Sequence, residues 1–147
     1  MFSNLNITSS ALSAQRMRMD VVASNIANMD TTRGRYVNGE WQPYQRKTVV
    51  LQEKKPSFSS YFQQAKNNAA ASGGVRVARI IEDPTPFPQV YNPAHPDANE
   101  QGYVAMPNVD PLKEMVDLLS ATRSYEANVT VLNASKGMLM KALEIGK

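Results

Sequence analysis

The chain has 147 residues, one histidine, no cysteine and a formal net charge of +3. Without cysteine there is neither a disulfide framework nor a thiolate metal site, and the scattered Lys and Arg read as a mildly basic solvated surface. Only 7% of residues are aromatic, so the core is expected to be modest, although the length suffices for one ordinary domain.

The N-terminus has no basic start followed by an apolar core of about 7–15 residues, so no cleaved signal peptide is expected. No apolar run approaches the roughly 18 residues that span a membrane. The chain is expected either to stay in the cytoplasm or to leave by a route without a cleaved signal. Residues 3–29 carry a helical pattern. Leu5, Leu12, Met19 and Ile26 recur every seventh residue, and Thr8, Gln15, Val22 and Met29 lie three further on. The other faces hold Asn4, Asn6, Ser9, Ser10, Ser13, Asn25 and Asn28, polar but uncharged. An ordinary surface helix carries more charge. Small neutral groups suit a helix with neighbours on several sides, where a charge is costly to bury. The competing reading is a frayed tail rich in Ser and Asn.

Asp30 to Gly34 ends this helix, and Asn38-Gly39 signals a turn. Arg46 to Glu53 reads as a strand that Pro56 closes. Phe58-Ser-Ser-Tyr-Phe62 is a short aromatic cluster, and residues 63–74 are a low-complexity linker with little apolar area to offset ordering. Val75 to Ile80 alternates apolar with basic residues, as a half-buried strand does. Five prolines in residues 84–96 make an extended loop poor in ladder hydrogen bonds. Gly102 to Met106 suits one more short strand.

Asp110 to Ile145 is the longest uninterrupted helical pattern. Asp110 can cap its first turn and Pro111 suits the first helical position. Leu118, Tyr125, Leu132 and Leu139 recur every seventh residue, flanked by Met115, Thr122, Val129 and Leu143. A strict seven-residue repeat suits helix-on-helix supercoiling. At 1.5 Å per residue the helix is about 50 Å long, and its narrow seam needs a partner. The expected fold is mainly α with a small β part. Its long N- and C-terminal helices pack as an antiparallel coiled coil, with a β-rich, loop-rich insert between them. The expected divisions are 1–33, 34–107 and 108–147.

Residues that could carry chemistry are few. His95 and Asp97 alone make no site, and Glu82-Asp83 point to opposite faces of a strand. Residues 97–102 resemble the opening of a calcium loop, but Gln101 and Asn108 occupy its fifth and twelfth places, where a bidentate Glu is required at the last. No nucleophile motif or phosphate loop is present. No enzyme, cofactor, metal or small-molecule substrate is expected. Arg33, Arg35, Tyr36, Trp41, Tyr44, Arg46 and Lys47 mix basic and aromatic residues as a single-strand nucleic-acid surface does, but the favoured reading has aromatics anchoring a loop and bases facing water, with no nucleic-acid partner.

Ser-Ala-Leu-Ser-Ala at 10–14, Val21-Val-Ala-Ser-Asn-Ile-Ala-Asn28 and Thr31-Thr32 resemble the N-terminal signature of bacterial flagellar rod and hook proteins. Asn108-Val-Asp, Glu114-Met and Ser124-Tyr-Glu-Ala-Asn128 resemble the matching C-terminal signature. His95-Pro-Asp-Ala-Asn-Glu-Gln-Gly-Tyr-Val104, followed by Pro107-Asn-Val109, is similar to proximal-rod members.

The resemblance implies a structural subunit of the basal-body rod in the periplasmic space. It implies export, unfolded and uncleaved, through the flagellar type III apparatus. The implied partners are copies of the chain, other rod proteins and the proteins at the rod base. The residues expected to pack helices are Leu5, Leu12, Met19, Val22 and Ile26 with Leu118, Thr122, Tyr125, Val129, Leu132 and Leu139. Asn25, Asn28, Tyr125, Glu126 and Asn128 belong to the family motifs, the three asparagines bonding across helices, capping or facing water. Phe58 and Phe62 have the Phe-x-x-x-apolar form with which early export substrates dock on the export gate, or they sit as an aromatic pair under a loop. The alternatives are another assembled helical subunit, of hook or needle type, and a single-strand nucleic-acid binder.

Overall fold

The computed structural model describes residues 2–54, 62 and 73–145. Two long helices bracket short strands: α1 (Phe2–Ala27), β1 (Arg35–Val37), β2 (Glu40–Gln42), β3 (Lys47–Glu53), β4 (Val75–Glu82), β5 (Gln89–Tyr91), β6 (Tyr103–Ala105) and α2 (Pro111–Ile145). The class is thus mainly α with a small β part. The aromatic cluster at 58–62, apart from Phe62, and the linker up to residue 72 lie outside the described residues.

Both helices form where the seven-residue pattern runs. The Asp110 carboxylate accepts the Leu112 N–H at 3.0 Å and the Lys113 N–H at 3.4 Å. This satisfies donors that have no partner inside the helix. Lys136 and Gly137 do not interrupt α2.

The strands form three pairs, β1–β2, β3–β4 and β5–β6. In β1–β2, Tyr36 faces Trp41, and the turn between them has positive φ at Asn38 (53°) and Gly39 (94°). Positive φ at both central positions matches the right-handed twist of the flanking strands and explains the Asn-Gly choice. For β3–β4, the Asp83 N–H donates to Arg46 O and the Lys54 N–H to Gly74 O, so the strands are antiparallel. Only Val75 and Val77 of β4 are half-buried; the rest of the strand is exposed. β5–β6 is antiparallel with Val90 opposite Val104. Three strands differ from the sequence expectation: β1, β2 and β5. Each has three residues, too few to display an alternation. β5 falls in the proline-rich stretch, between Pro88 and Pro93, where four consecutive residues keep an N–H group.

The chain forms two compact units. The first comprises Met1–Met17, Val50–Arg79 and Ser120–Lys147; the second comprises Arg18–Val49 and Ile80–Leu119. Among the described residues of the first unit, the buried side chains are Thr8, Ala14 and Ala121. Ser10 Oγ accepts the Val75 N–H at 3.1 Å, tying α1 to the start of β4. In the second unit the buried side chains include Val21, Val22, Val104, Asn25 and Glu114.

One sequence expectation needs correcting on α2. Met115 and Leu143, placed beside the seam by their spacing, are 53% and 71% exposed. The second inward row is instead Glu114, Ala121, Asn128 and Ser135, the first two fully buried and the others half-buried. A search for apolar residues passes over an acid, an alanine, an amide and a hydroxyl, although all four keep the heptad phase.

Candidate functional site

The second unit is organised around the carboxamide of Asn25, which is wholly buried on α1. Its Nδ2 donates to Lys47 O and to Glu114 Oε2, each at 2.9 Å. Its Oδ1 accepts the Lys47 N–H at 3.0 Å and the Tyr44 hydroxyl at 3.0 Å. An amide has two donor hydrogens and two lone pairs, so every valence is used. The side chain pairs with the N–H and C=O of Lys47 as a neighbouring strand residue does, and this docks the first residue of β3 on α1.

Glu114, also wholly buried, joins this group from α2. Its Oε1 accepts from Arg46 Nε at 2.6 Å. The Arg46 guanidinium lies 3.5 Å from Asp83 and 3.6 Å from Asp117, and Arg18 reaches Asp117 at 3.0 Å. Burial pulls the Arg46 guanidinium down, but the hydrogen bond and charge of Glu114, with Asp83, outweigh it and hold it above its ordinary value. The Arg46 N–H donates to Asn108 Oδ1 at 2.7 Å. One buried carboxylate thus meets one guanidinium and one amide, and α1, α2 and the start of β3 share a single junction. Such an ion pair is weak evidence for net stability, since desolvation offsets attraction, but losing one partner is costly.

A second tether holds the loop between β5 and β6. The Asp97 carboxylate accepts from Arg33 Nε at 2.7 Å and from the Thr32 hydroxyl at 2.8 Å. Arg33 first, then Thr32, hold Asp97 below its ordinary value. Gly102 in that loop has φ +81°, and an added Cβ would lie 2.9 Å from the Tyr91 ring, so a side chain there is excluded twice over.

The expected packing residues fall as follows. Val22 is buried. Leu5, Leu12, Met19, Ile26, Leu118, Thr122, Tyr125, Val129, Leu132 and Leu139 are half-buried. Of the motif asparagines, Asn25 bonds across to α2. Asn28 and Asn128 each donate at 2.8 Å to the carbonyl four residues back in their own helix, Ser24 and Ser124. Tyr125 is half-buried and Glu126 exposed. Phe62 is exposed; Phe58 lies outside the described residues. Arg46 and Glu114 were not marked as a pair by sequence reasoning. The available signal was an acid at position 114, in heptad phase with Ala121.

The basic and aromatic set does not form an open phosphate surface. Arg33 is held by Asp97, Arg35 lies 3.6 Å from Glu82, Arg46 is committed to Glu114, and Lys47 sits 5.5 Å over the Tyr44 ring. Among the described residues no cluster of three or more metal-ligating side chains occurs, and no helix is long and apolar enough to cross a membrane. What α2 does offer is an apolar stripe. Leu112, Met115, Val116 and Leu119 recur at i, i+3, i+4 and i+7 and are between 53% and 72% exposed.

A family model described as "Flagella basal body rod protein" matches residues 5–34. A second, "Flagellar basal body rod FlgEFG protein C-terminal", matches residues 100–145. The flagellar basal-body rod protein FlgC of Bacillus subtilis is 65% identical over 147 residues, covering 99% of this chain and 98% of that protein. FlgC of Yersinia enterocolitica is 46% identical over 97% of this chain and 95% of its own length. FlgC of Borreliella burgdorferi is 41% identical over 99% and 97%. The chain belongs to the FlgC family of flagellar basal-body rod proteins.

Proposed function

We propose that the chain, by family a structural subunit of the flagellar basal-body rod, carries motor torque through helix packing. Its partners are copies of itself, other rod proteins and the proteins at the rod base. The packing is coiled-coil-like: Leu5, Leu12, Met19, Val22 and Ile26 of α1 meet Leu118, Thr122, Tyr125, Val129, Leu132 and Leu139 of α2, within and between chains. Residues 1–33 and 108–147 form the axial core in this reading, and 34–107 form its outer part. The place is the proximal rod in the periplasmic space, reached through the type III apparatus without a cleaved signal peptide. The work involves no catalytic step.

The observation that supports this best is the stripe Leu112, Met115, Val116 and Leu119. Four large apolar side chains on one exposed helix face lie open in the single chain, and such faces mark interaction sites. Leu132→Asp places an unpaired charge in the seam. It is expected to block rod assembly while leaving expression intact; motile cells carrying it would refute the reading. Phe58 and Phe62 are proposed as a contact for the export gate. Normal secretion of a folded Phe58→Ala, Phe62→Ala variant would remove that part alone.

A further inference from the structure

Two exposed features of the second unit bear on how copies of the chain can meet. The first is a groove of about 430 Å³ with Trp41 and Tyr103 among its walls, beside Glu40, Gln89 and Asn99. That volume lies within the range of ligand sites. Trp41 pairs with Tyr36 at 5.1 Å between ring centroids, and Tyr103 with Tyr91 at 5.3 Å. All four rings are between 41% and 65% exposed. The β1–β2 pair carries Tyr36 and Trp41, and the β5–β6 pair carries Tyr91 and Tyr103.

The second feature is the segment Asp83-Pro-Thr-Pro-Phe-Pro88. Proline pins φ near −65°, and a residue before proline is driven to the extended region. Asp83, Thr85 and Phe87 each precede a proline. Proline thus fixes φ at three of the six residues and drives the other three to the extended region, which biases the segment to a polyproline-type course. Both ends are clamped. Asn108 Nδ2 donates to Asp83 O at 3.2 Å and Thr85 O at 3.1 Å, the Asp83 carboxylate takes both the N–H and the hydroxyl of Thr85, and the Met106 N–H donates to Pro88 O at 2.9 Å. Pro84, Pro86 and Pro88 are exposed. A segment held in advance in its bound form loses little freedom on docking.

We propose that the groove between Trp41 and Tyr103 receives the Pro84-Thr-Pro-Phe-Pro88 segment of a second copy of this chain. Aromatic-lined grooves take proline-rich segments by stacking ring on ring. The Gln89 amide can donate to carbonyls of the docked segment. Groove and segment are different patches of one chain, so the contact runs head to tail and repeats along an assembly rather than closing on itself in a pair. This rests on the reading of the chain as one that assembles with its own copies.

The chain has a single tryptophan, so its emission reports on the groove directly. A synthetic peptide of residues 82–89 is titrated into the full chain, beside a control peptide with alanine at 84, 86 and 88. The expected result is a saturable emission shift with the proline peptide only, and affinity lower by about tenfold in Tyr103→Ala, from the lost ring contact. In the full chain, Pro84→Ala/Pro86→Ala leaves the groove intact and should still bind the added peptide. No saturable shift at millimolar peptide, or equal shifts with both peptides, would overturn the proposal. So would a shift with an N-acetylglucosamine oligosaccharide and none with the peptide, which would assign the groove to a sugar. Failure here alongside blocked assembly of Leu132→Asp removes only the groove pairing; peptide binding alongside unimpaired assembly of that variant removes only the seam.

Discussion

The two units use the same pair of helices in opposite ways. In the second unit, the α1 and α2 segments meet through Asn25, Glu114 and Arg46, with every hydrogen-bonding position of Asn25 filled, and Val21, Val22 and Val104 are buried in the same unit. In the first unit, the described side chains include none bulkier than threonine that is buried. Its seam leucines stop at half-burial, and Gln15 Oε1 is buried without a hydrogen-bond partner. A half-buried leucine realises only part of the roughly 1.5–3 kcal/mol that full burial provides, and an unmet buried acceptor costs stability. The second unit closes its junction within the chain and leaves the Leu112–Leu119 stripe open on its surface. The first leaves its seam positions half-buried.

The sharpest way to break this contrast is Glu114→Ala. It leaves the Arg46 guanidinium without its 2.6 Å partner in a buried place. Loss of about 3–5 kcal/mol is expected, read from urea unfolding followed by circular dichroism. A loss under about 1 kcal/mol would mean that the second unit does not depend on its junction. The next change falls on the open stripe. Leu119→Asp should leave monomer stability within about 0.5 kcal/mol, as at an exposed site, yet stop incorporation into rods. Equal incorporation of variant and parent chains would show that the stripe is not a contact. The smallest effect is the loop tether. Asp97 has its folded value lowered by Arg33 and Thr32, so its contribution is complete at neutral pH. That contribution begins to fall once the unfolded carboxylate takes up a proton, below its ordinary value of about 3.9, and is gone once pH passes the lower folded value. Protection of the Tyr103 amide relative to its intrinsic exchange rate, provided by its bond to Asn99 Oδ1 at 2.8 Å, should therefore hold at pH 5 and fall only in stronger acid. In Arg33→Ala the fall should begin at higher pH.

The sequence made the helices legible because a seven-residue period over α1 and α2 is a long signal, and because Asp110-Pro111 marks a start. Asn25 was legible as a motif residue in a helix poor in charge. Its partners were not. Arg46 and Glu114 are separated by 68 positions, and nothing local to either shows that they meet. The row Glu114, Ala121, Asn128 and Ser135 was missed for a different reason: inward positions need not be greasy where a junction or a close helix approach fills them. Three-residue strands carry too short a pattern to register, so β5 was hidden within a run of prolines.

Hydrogen exchange in the dilute monomer and in assembled rods tests the central contrast most directly. In the monomer, amides of residues 18–27 and 114–119 should be strongly protected and those of residues 4–17 and 120–144 weakly so, with the weak set gaining protection on assembly. Uniform strong protection along both helices of the monomer, unchanged in the rod, would contradict the account.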